Sequence, residues 1–503
     1  AVGHGALATE DTGGRNTALG YRALNSLNKD ASSYNVAVGY DAGANISTGT
    51  ENIFIGGLAG DALTTGLGNT AVGAKALSTD TTGRYNVAIG HSTLENQSFA
   101  GSEGVFNVAV GYFAGNQVTS GTHNTLVGGY AGDALTTGFG NVALGYAALS
   151  TEDAHGYNVA IGKSALQQLN AGADAYNTAV GYEAGTAMTT GTGNTLIGGQ
   201  AGDSITSGGH HVAIGHEALA TEDVRSGNVA IGFQALKTQN ADANTYSVAV
   251  GYQALTAATI GLRNVAVGGY AAVAIDEGDD NIAIGHGALN AEDAGNRSVA
   301  IGSYSLYVQY RDTSNNNTAV GYNTGKAVTR GLNNTLIGAN SGEAIQATDD
   351  NTFIGSGAGT LTQATSKSTF VGTNAGNALD YEGDNLTCLG YNAEPSALAV
   401  DDEITLGDSN IATLRCQVTS ITSLSDKRDK TNINTLDKGL EFVDTLKPVK
   451  FEWDTRDGAK KGIKDIGFIA QDLQEVDDEY TNLVYDINPE KLEASYGRLV
   501  PVL

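Results

Sequence analysis

Tryptophan and methionine occur once each in 503 residues, cysteine twice and proline four times. Two cysteines, Cys388 and Cys416, make neither a disulfide framework nor a structural zinc site. Positive charge is also scarce: 27 Lys and Arg stand against 54 Asp and Glu, a formal net charge of −27. Such a surface repels phosphate backbones and anionic lipid, which argues against nucleic acid as a partner. No apolar run approaches the roughly 20 residues of a membrane-spanning helix, so no membrane insertion is expected. No secretory signal pattern opens the chain either. The first residues, "AVGHGAL", read as the middle of a repeat, so a beginning further upstream is expected.

What the chain has in excess is glycine, 69 residues, and only five of them lie beyond Ser425. Twelve of the 27 basic residues fall in 425–503, and the prolines are Pro395, Pro448, Pro489 and Pro501. Composition therefore changes between Pro395 and Ser425. Residues 1–424 carry 37 acidic and 15 basic side chains, a balance that keeps a long assembly soluble.

The glycine belongs to a repeated phrase, N-x-A-[V/I/L]-G. It begins at Asn16 and recurs 22 times, fading near Leu386. The usual step is 17 residues, but every fourth step stretches to 19, or once to 21, giving a super-repeat of about 70 (Asn107, Asn177, Ser247, Asn317). Such a period predicts stacked coils, a β-roll or solenoid over residues 1–395. In "NVAIG" (158–162) Val159 and Ile161 share one face of a short strand and Ala160 takes the other. The aliphatic fourth position is expected inside the coil, with the opposite face at least partly covered. The glycine permits a tight corner or a close backbone approach. A 17-residue coil buries little by itself, so stacking, and association into a bundle, must supply the rest. At about 4.8 Å per rung, 22 coils make a rod of about 105 Å, a spacer or display surface rather than a pocket.

The repeats offer little chemistry. Glu152/Asp153, Glu222/Asp223 and Glu292/Asp293 recur in one turn, but adjacent carboxylates do not converge across a scissile bond as a glycosidase requires. A solvated turn is expected, where Glu152→Ala costs almost nothing. The glycine-rich signature of calcium-binding rolls is absent. His4, His91, His216 and His286 follow the strand glycine, a slot shared with Tyr21, Tyr40, Tyr112, Tyr146, Tyr182 and Tyr252. Exposed turn histidines and a tyrosine surface stripe are expected, the stripe serving rung-to-rung packing or an interface. A metal held by histidines around a three-fold axis is the sharper but poorer reading. Threonine turns such as Thr64/Thr65 are too irregular for an ice-matching ladder. No cofactor and no metal are expected.

These N-x-A-I-G coils with "AG" and "TG" turns resemble the head repeats of trimeric autotransporter adhesins, and similar repeats in phage tail fibres. The resemblance implies left-handed parallel β-rolls packed three around an axis.

Beyond the repeats, "EITLGDSNIATLRCQVTSITS" (403–423) alternates like short strands, a β-rich connector over 396–424. The remainder, 425–503, reads as a small α+β domain. "KGLEFVDTL" (438–446) is helical and "VKFEWD" (449–454) a strand. "IGFIAQDLQEV" (466–476) is a strand turning into a helix, and "NLVYDI" (482–487) a further strand. In "SDKRDK" (425–430), Ser425 and Lys430 form a plausible serine–lysine pair. A buried, neutral lysine can take the proton of a serine hydroxyl. A helix cap explains Ser-Asp equally well.

"SDKRDKTNI", "LKPVKFEW" and "IGFIAQDLQEV", in this order, resemble the intramolecular chaperone domain that ends phage tail spikes and fibres, including the endosialidases. The resemblance implies a trimerising domain that templates folding of the preceding stalk and then cuts itself off. It implies Ser425 as nucleophile, Lys430 as general base and Leu424-Ser425 as the scissile bond. Asp426, Arg428 and Gln471 match supporting motif positions. The family's long terminal helix is expected beyond "GRLVPVL". A mostly β homotrimer is thus expected, a virion tail fibre for host attachment through a cell-surface glycan or protein receptor. The alternative is a bacterial or environmental extracellular adhesive filament carrying the same chaperone. A depolymerase is disfavoured, because no coil carries an insertion able to wall a cleft.

Overall fold

The computed structural model describes residues 1–101, 104–310, 314–377, 382–411, 413–415, 426–456, 461–486 and 492–500. Contacts divide the chain into two units, Ala1–Asn317 and Thr318–Leu503.

In the first unit each copy of the phrase becomes a three-residue strand, from Thr17–Leu19 to Val299–Ile301. Consecutive strands pair in parallel and in register, so Ala160 faces Ala179 and Ile161 faces Val180. This is a parallel β-solenoid, as the period predicted. The strand glycine closes each rung: Gly162 has φ +134°, and a Cβ there would lie 2.2 Å from the Gly181 carbonyl oxygen of the next coil. No side chain fits that approach.

The faces are the reverse of the expectation. Ala160 is fully buried, with Ala165, Leu166 and Leu169, whereas Val159 and Ile161 are only half-buried on the outside. On other rungs Ile55, Ile89 and Leu144 are 40, 38 and 44 % exposed. The reason is volume, because a narrow coil has no room for a β-branched pair inside. Where the inward slot holds a larger residue, its neighbours shrink. Phe54 sits between Gly43 and Gly60, at each of which a Cβ would clash with its ring, and Leu126 sits likewise between Gly115 and Gly132. That complementarity explains why "AL" and "AG" alternate in the sequence.

The asparagine that opens each phrase forms an internal ladder. Asn158 N–H donates to Oδ1 of Asn141 (3.0 Å), and Asn177 N–H donates to Oδ1 of Asn158 (3.2 Å). The Asn141 and Asn177 amides donate in turn to the carbonyls of His155 and Gly191. Every buried backbone group needs a partner, and Asn supplies a donor and an acceptor in one short side chain. Threonine turns do similar work: Thr64 Oγ1 donates to the Thr81 carbonyl (2.9 Å) and Thr136 Oγ1 to that of Asp153 (2.7 Å). Those hydroxyls are occupied, which speaks against an ice-binding array.

His211 replaces one ladder asparagine. It is fully buried, its Nδ1 accepts from Asn228 N–H (3.2 Å) and its Nε2 lies 2.5 Å from the Arg225 carbonyl oxygen. Only the neutral ring satisfies both contacts, and burial pushes its pKa below the ordinary 6.5. As pH falls below about 6.5 the unfolded chain takes up a proton that the folded chain refuses, so stability is lost until the folded-state pKa is reached. His211→Asn should remove that loss. Thermal midpoints of both chains between pH 8 and 5 test it, and parallel curves would refute the assignment. The comparison with the variant matters because Asp61, raised by burial to about 6, contributes with the opposite sign.

The carboxylates recurring at the third turn are not solvated. Asp80, Glu152, Glu222 and Glu292 are fully buried, and each caps a backbone N–H three residues on, as Glu292 Oε1 does for Gly295 (2.8 Å). Each belongs to the coil just before a long, 19- or 21-residue step, and the second oxygen reaches toward that longer coil. Asp80 accepts from Gln97 (2.6 Å), Glu152 from Ala171 N–H (3.2 Å), and Glu292 from Gln309 and Asn315 (2.6 and 2.7 Å). Glu222 accepts instead from Asn228 Nδ2 (3.4 Å). The extra residues of a long coil bring unsatisfied donors, and the carboxylate meets them. Glu152→Ala therefore carries a real cost.

In the second unit, strands from Thr318–Val320 to Thr387–Leu389 continue the pattern, and Ile404–Leu406 pairs in parallel with Thr387–Leu389 as a further rung. Part of the expected connector is thus another coil. Cys388 occupies an inward slot, 1 % exposed, its thiol pushed up to about 12 by burial, with Glu394 and Glu403 adding to the effect. Cys416 lies outside the described residues. The C-terminal segment contains α1 (Leu440–Thr445), an antiparallel pair Val449–Asp454/Lys461–Gly467, α2 (Ala470–Gln474) and the short pair Val484–Tyr485/Glu493–Ala494. Its core is Leu473, Leu483, Val484 and Leu499.

Candidate functional site

The serine–lysine motif sits where the C-terminal domain begins. Leu424 and Ser425, the expected scissile bond and nucleophile, lie outside the described residues. From Asp426 the chain turns into a single 3-10 turn, Lys427–Asp429. Asp426 caps it: its Oδ1 accepts from Arg428 N–H (2.9 Å), and its carboxylate is chelated by the Arg428 guanidinium at 2.5–3.1 Å. That guanidinium holds the Asp426 carboxyl below the usual carboxylate range. Asp426 and Arg428 are therefore positioning residues for the turn. Lys430 follows as its C-terminal cap and is exposed in the single chain. Gln471 lies in the first turn of α2, on the exposed side opposite Leu473.

This domain leaves much apolar surface open. Leu440, Ile466 and Val500 are 77, 73 and 70 % exposed. The two-stranded pair Val449–Asp454/Lys461–Gly467 is marginal without something packed on it. Among the described residues the Tyr485 hydroxyl ties the domain to the last coil, lying 3.4 Å from both the Glu403 carboxylate and the Ser396 hydroxyl.

The domain thus combines the three sequence motifs with a small core and exposed apolar side chains. Residues 425–485 match the family model described as chaperone of endosialidase. No curated protein and no solved structure matches the chain. The chaperone domain thus follows a β-solenoid stalk.

On the solenoid, the post-glycine histidines His4, His91, His216 and His286 are exposed, as expected. Where consecutive rungs both carry rings in that slot, the rings stack: Tyr21 and Tyr40 lie 5.3 Å apart, and Phe233 and Tyr252 lie 5.1 Å apart. A second aromatic column, unread in the sequence, stands just before the ladder asparagine, where Tyr157 and Tyr176 stack at 5.1 Å. Its signal was recurrence one place ahead of the phrase. Glu152, Asp153 and His155 lie close enough to share a cation. However, both Glu152 oxygens already accept backbone N–H groups, from His155 and Ala171, and Glu222 and Glu292 have Arg225 and Gly295 in place of the histidine. The cluster is a corner of the fold.

Proposed function

We propose that this chain is the protomer of a homotrimeric fibre, a virion tail fibre for host attachment. Its C-terminal domain templates trimer folding and then cuts itself off before Ser425. The observation that carries the trimer is the outward Val/Ile face. Rung after rung it presents an aliphatic side chain at the third strand position and Val, Ile or Thr at the first, a largely apolar strip of the kind that marks an interface. The exposed Leu440, Ile466 and Val500 of the chaperone support the same reading. Light scattering of the purified chain should give three times the protomer mass, 154 kDa from 51.3 kDa per chain before any cut. A stable monomer would sink the proposal.

In the cut, the Ser425 hydroxyl oxygen attacks the Leu424 carbonyl carbon while Lys430 takes the hydroxyl proton. The C–N bond breaks as the Ser425 nitrogen gains a proton, leaving an ester between Leu424 and the Ser425 oxygen. Water then hydrolyses that ester, releasing the Leu424 carboxylate and restoring the Ser425 hydroxyl beside the amine freed in the first step. A lysine works as a base only when desolvation disfavours its charged form. Lys430 is exposed in one chain, so neighbouring copies in the trimer supply that burial, and cutting waits for assembly.

A further inference from the structure

Three of the four buried carboxylates that precede a long coil stack beneath a glutamine of that coil. Gln97 donates Nε2 to Asp80 (2.6 Å) and accepts at Oε1 from ladder Asn107 (3.0 Å). Gln309 donates likewise to Glu292 (2.6 Å) and accepts from ladder Asn317 (2.8 Å). The third copy pairs Glu222 with Gln239, but its ladder residue is Ser247. The chain path is unchanged there: Thr221 Oγ1 reaches the Gln239 carbonyl (3.3 Å) as Thr79 Oγ1 reaches that of Gln97 (3.1 Å). The amide, however, has turned round. Gln239 gives Nε2 to the Thr259 carbonyl (2.7 Å), and its Oε1 is buried without a partner.

Two deficits thus meet between two fully buried side chains. Glu222 accepts from Arg225 N–H (3.2 Å) and, at length, from Asn228 Nδ2 (3.4 Å), where Glu292 accepts three bonds of 2.6–2.8 Å. A carboxylate short of donors lies under an amide oxygen that has none. One proton on Glu222 answers both, because a carboxylic acid donates where a carboxylate only accepts, and the neutral form is far less costly to bury. The surroundings agree. Burial raises the Glu222 carboxyl above its ordinary 4.5, against the Arg225 and Asp223 N–H groups and the Arg225 charge, with the Asp223 charge adding to the rise. Beneath it, residues 204–209 carry no titratable side chain; above it, 238–241 carry none and Asp242 is exposed. His211, at the start of the same coil, is held neutral by Asn228 N–H and supplies no counter-charge.

We infer that Glu222 is a proton-binding site of the stalk, held as the neutral acid with its hydroxyl bonded to Gln239 Oε1. Ser247 sets that state by withholding the donor that Asn107 and Asn317 supply. The site also offsets His211. Below about pH 6.5 the folded chain refuses a proton at His211 that the unfolded chain takes, whereas at Glu222 it keeps one that the unfolded chain gives up above about 4.5, so between those values the two slopes oppose. Full-length Glu222→Gln mimics the acid, its amide donating to Gln239 where the hydroxyl did. It should raise the thermal midpoint at pH 7, with the gain shrinking toward pH 4.5, whereas Glu292→Gln should lower the midpoint at pH 7. In D2O at neutral pD, the infrared difference between wild type and Glu222→Gln should show the carbonyl stretch of a protonated carboxyl. In a Ser247→Asn background, which restores the donor, both the gain and that band should vanish. A midpoint that falls at pH 7 as far as in Glu292→Gln, or a difference spectrum showing only carboxylate bands, overturns the assignment.

Discussion

Expressed wild-type chain should appear on a denaturing gel as two fragments, the smaller beginning at Ser425, while Ser425→Ala stays full length and still trimerises. Folding guidance and cutting are separate tasks, so removing the nucleophile should abolish only the second. Lys430→Ala should block cutting as well, because the motif provides no other base. If cutting takes place within assembled trimers, dilution should not change its rate. A cut that removes the template would act kinetically, since the stalk would then lose its easiest route back to the unfolded chain. The uncut variant should therefore unfold faster in denaturant than the processed fibre. If wild type yields no fragment starting at Ser425, the self-cleaving role fails and only the templating role survives.

The second large effect separates the two faces of one strand. Ala160→Asp puts an unpaired carboxylate into a fully buried slot, with a cost of about 3–5 kcal/mol in each chain. The coil itself should fail, seen as a large drop in melting temperature and in β circular dichroism. Ile161→Asp, one residue on, points outward. It should leave the coil's dichroism intact and weaken the trimer, seen as a fall in mass by light scattering. An Ile161→Asp chain that keeps the wild-type mass by light scattering would show that the outward face is not an interface between copies.

That pair of substitutions also marks where the sequence stopped being legible. The period, the strand and the glycine corner could all be read, because repetition over 22 copies makes alternation unmistakable. Which side of the alternation faces inward could not, since Val and Ile are the usual core residues and Ala is indifferent. The answer came from the width of the coil, a property of three dimensions. Glu152 and Glu292 were misread for a related reason: an acidic pair in a turn is ordinarily solvated, and nothing local announces the long coil whose donors require a buried carboxylate. The chaperone was legible by its motifs, and α1 and α2 fall where spacing placed them. Ser425 and Lys430 could be read as a plausible serine–lysine pair, and their roles and the Leu424-Ser425 bond only by resemblance; Leu424 and Ser425 lie outside the described residues.

The carboxylate that joins a turn to the long coil behind it also constrains how such a stalk can change in length. Losing either coil of that couple alone would bury a charge without its donors, or donors without their charge. Exchange between equivalent points of two blocks has no such penalty, for every Glu292-like residue keeps a long coil at its back. A gene built of similar 70-residue blocks invites that exchange by unequal recombination. The stalk can therefore gain or lose about 19 Å of reach in a single genetic event, with each product as foldable as its parent.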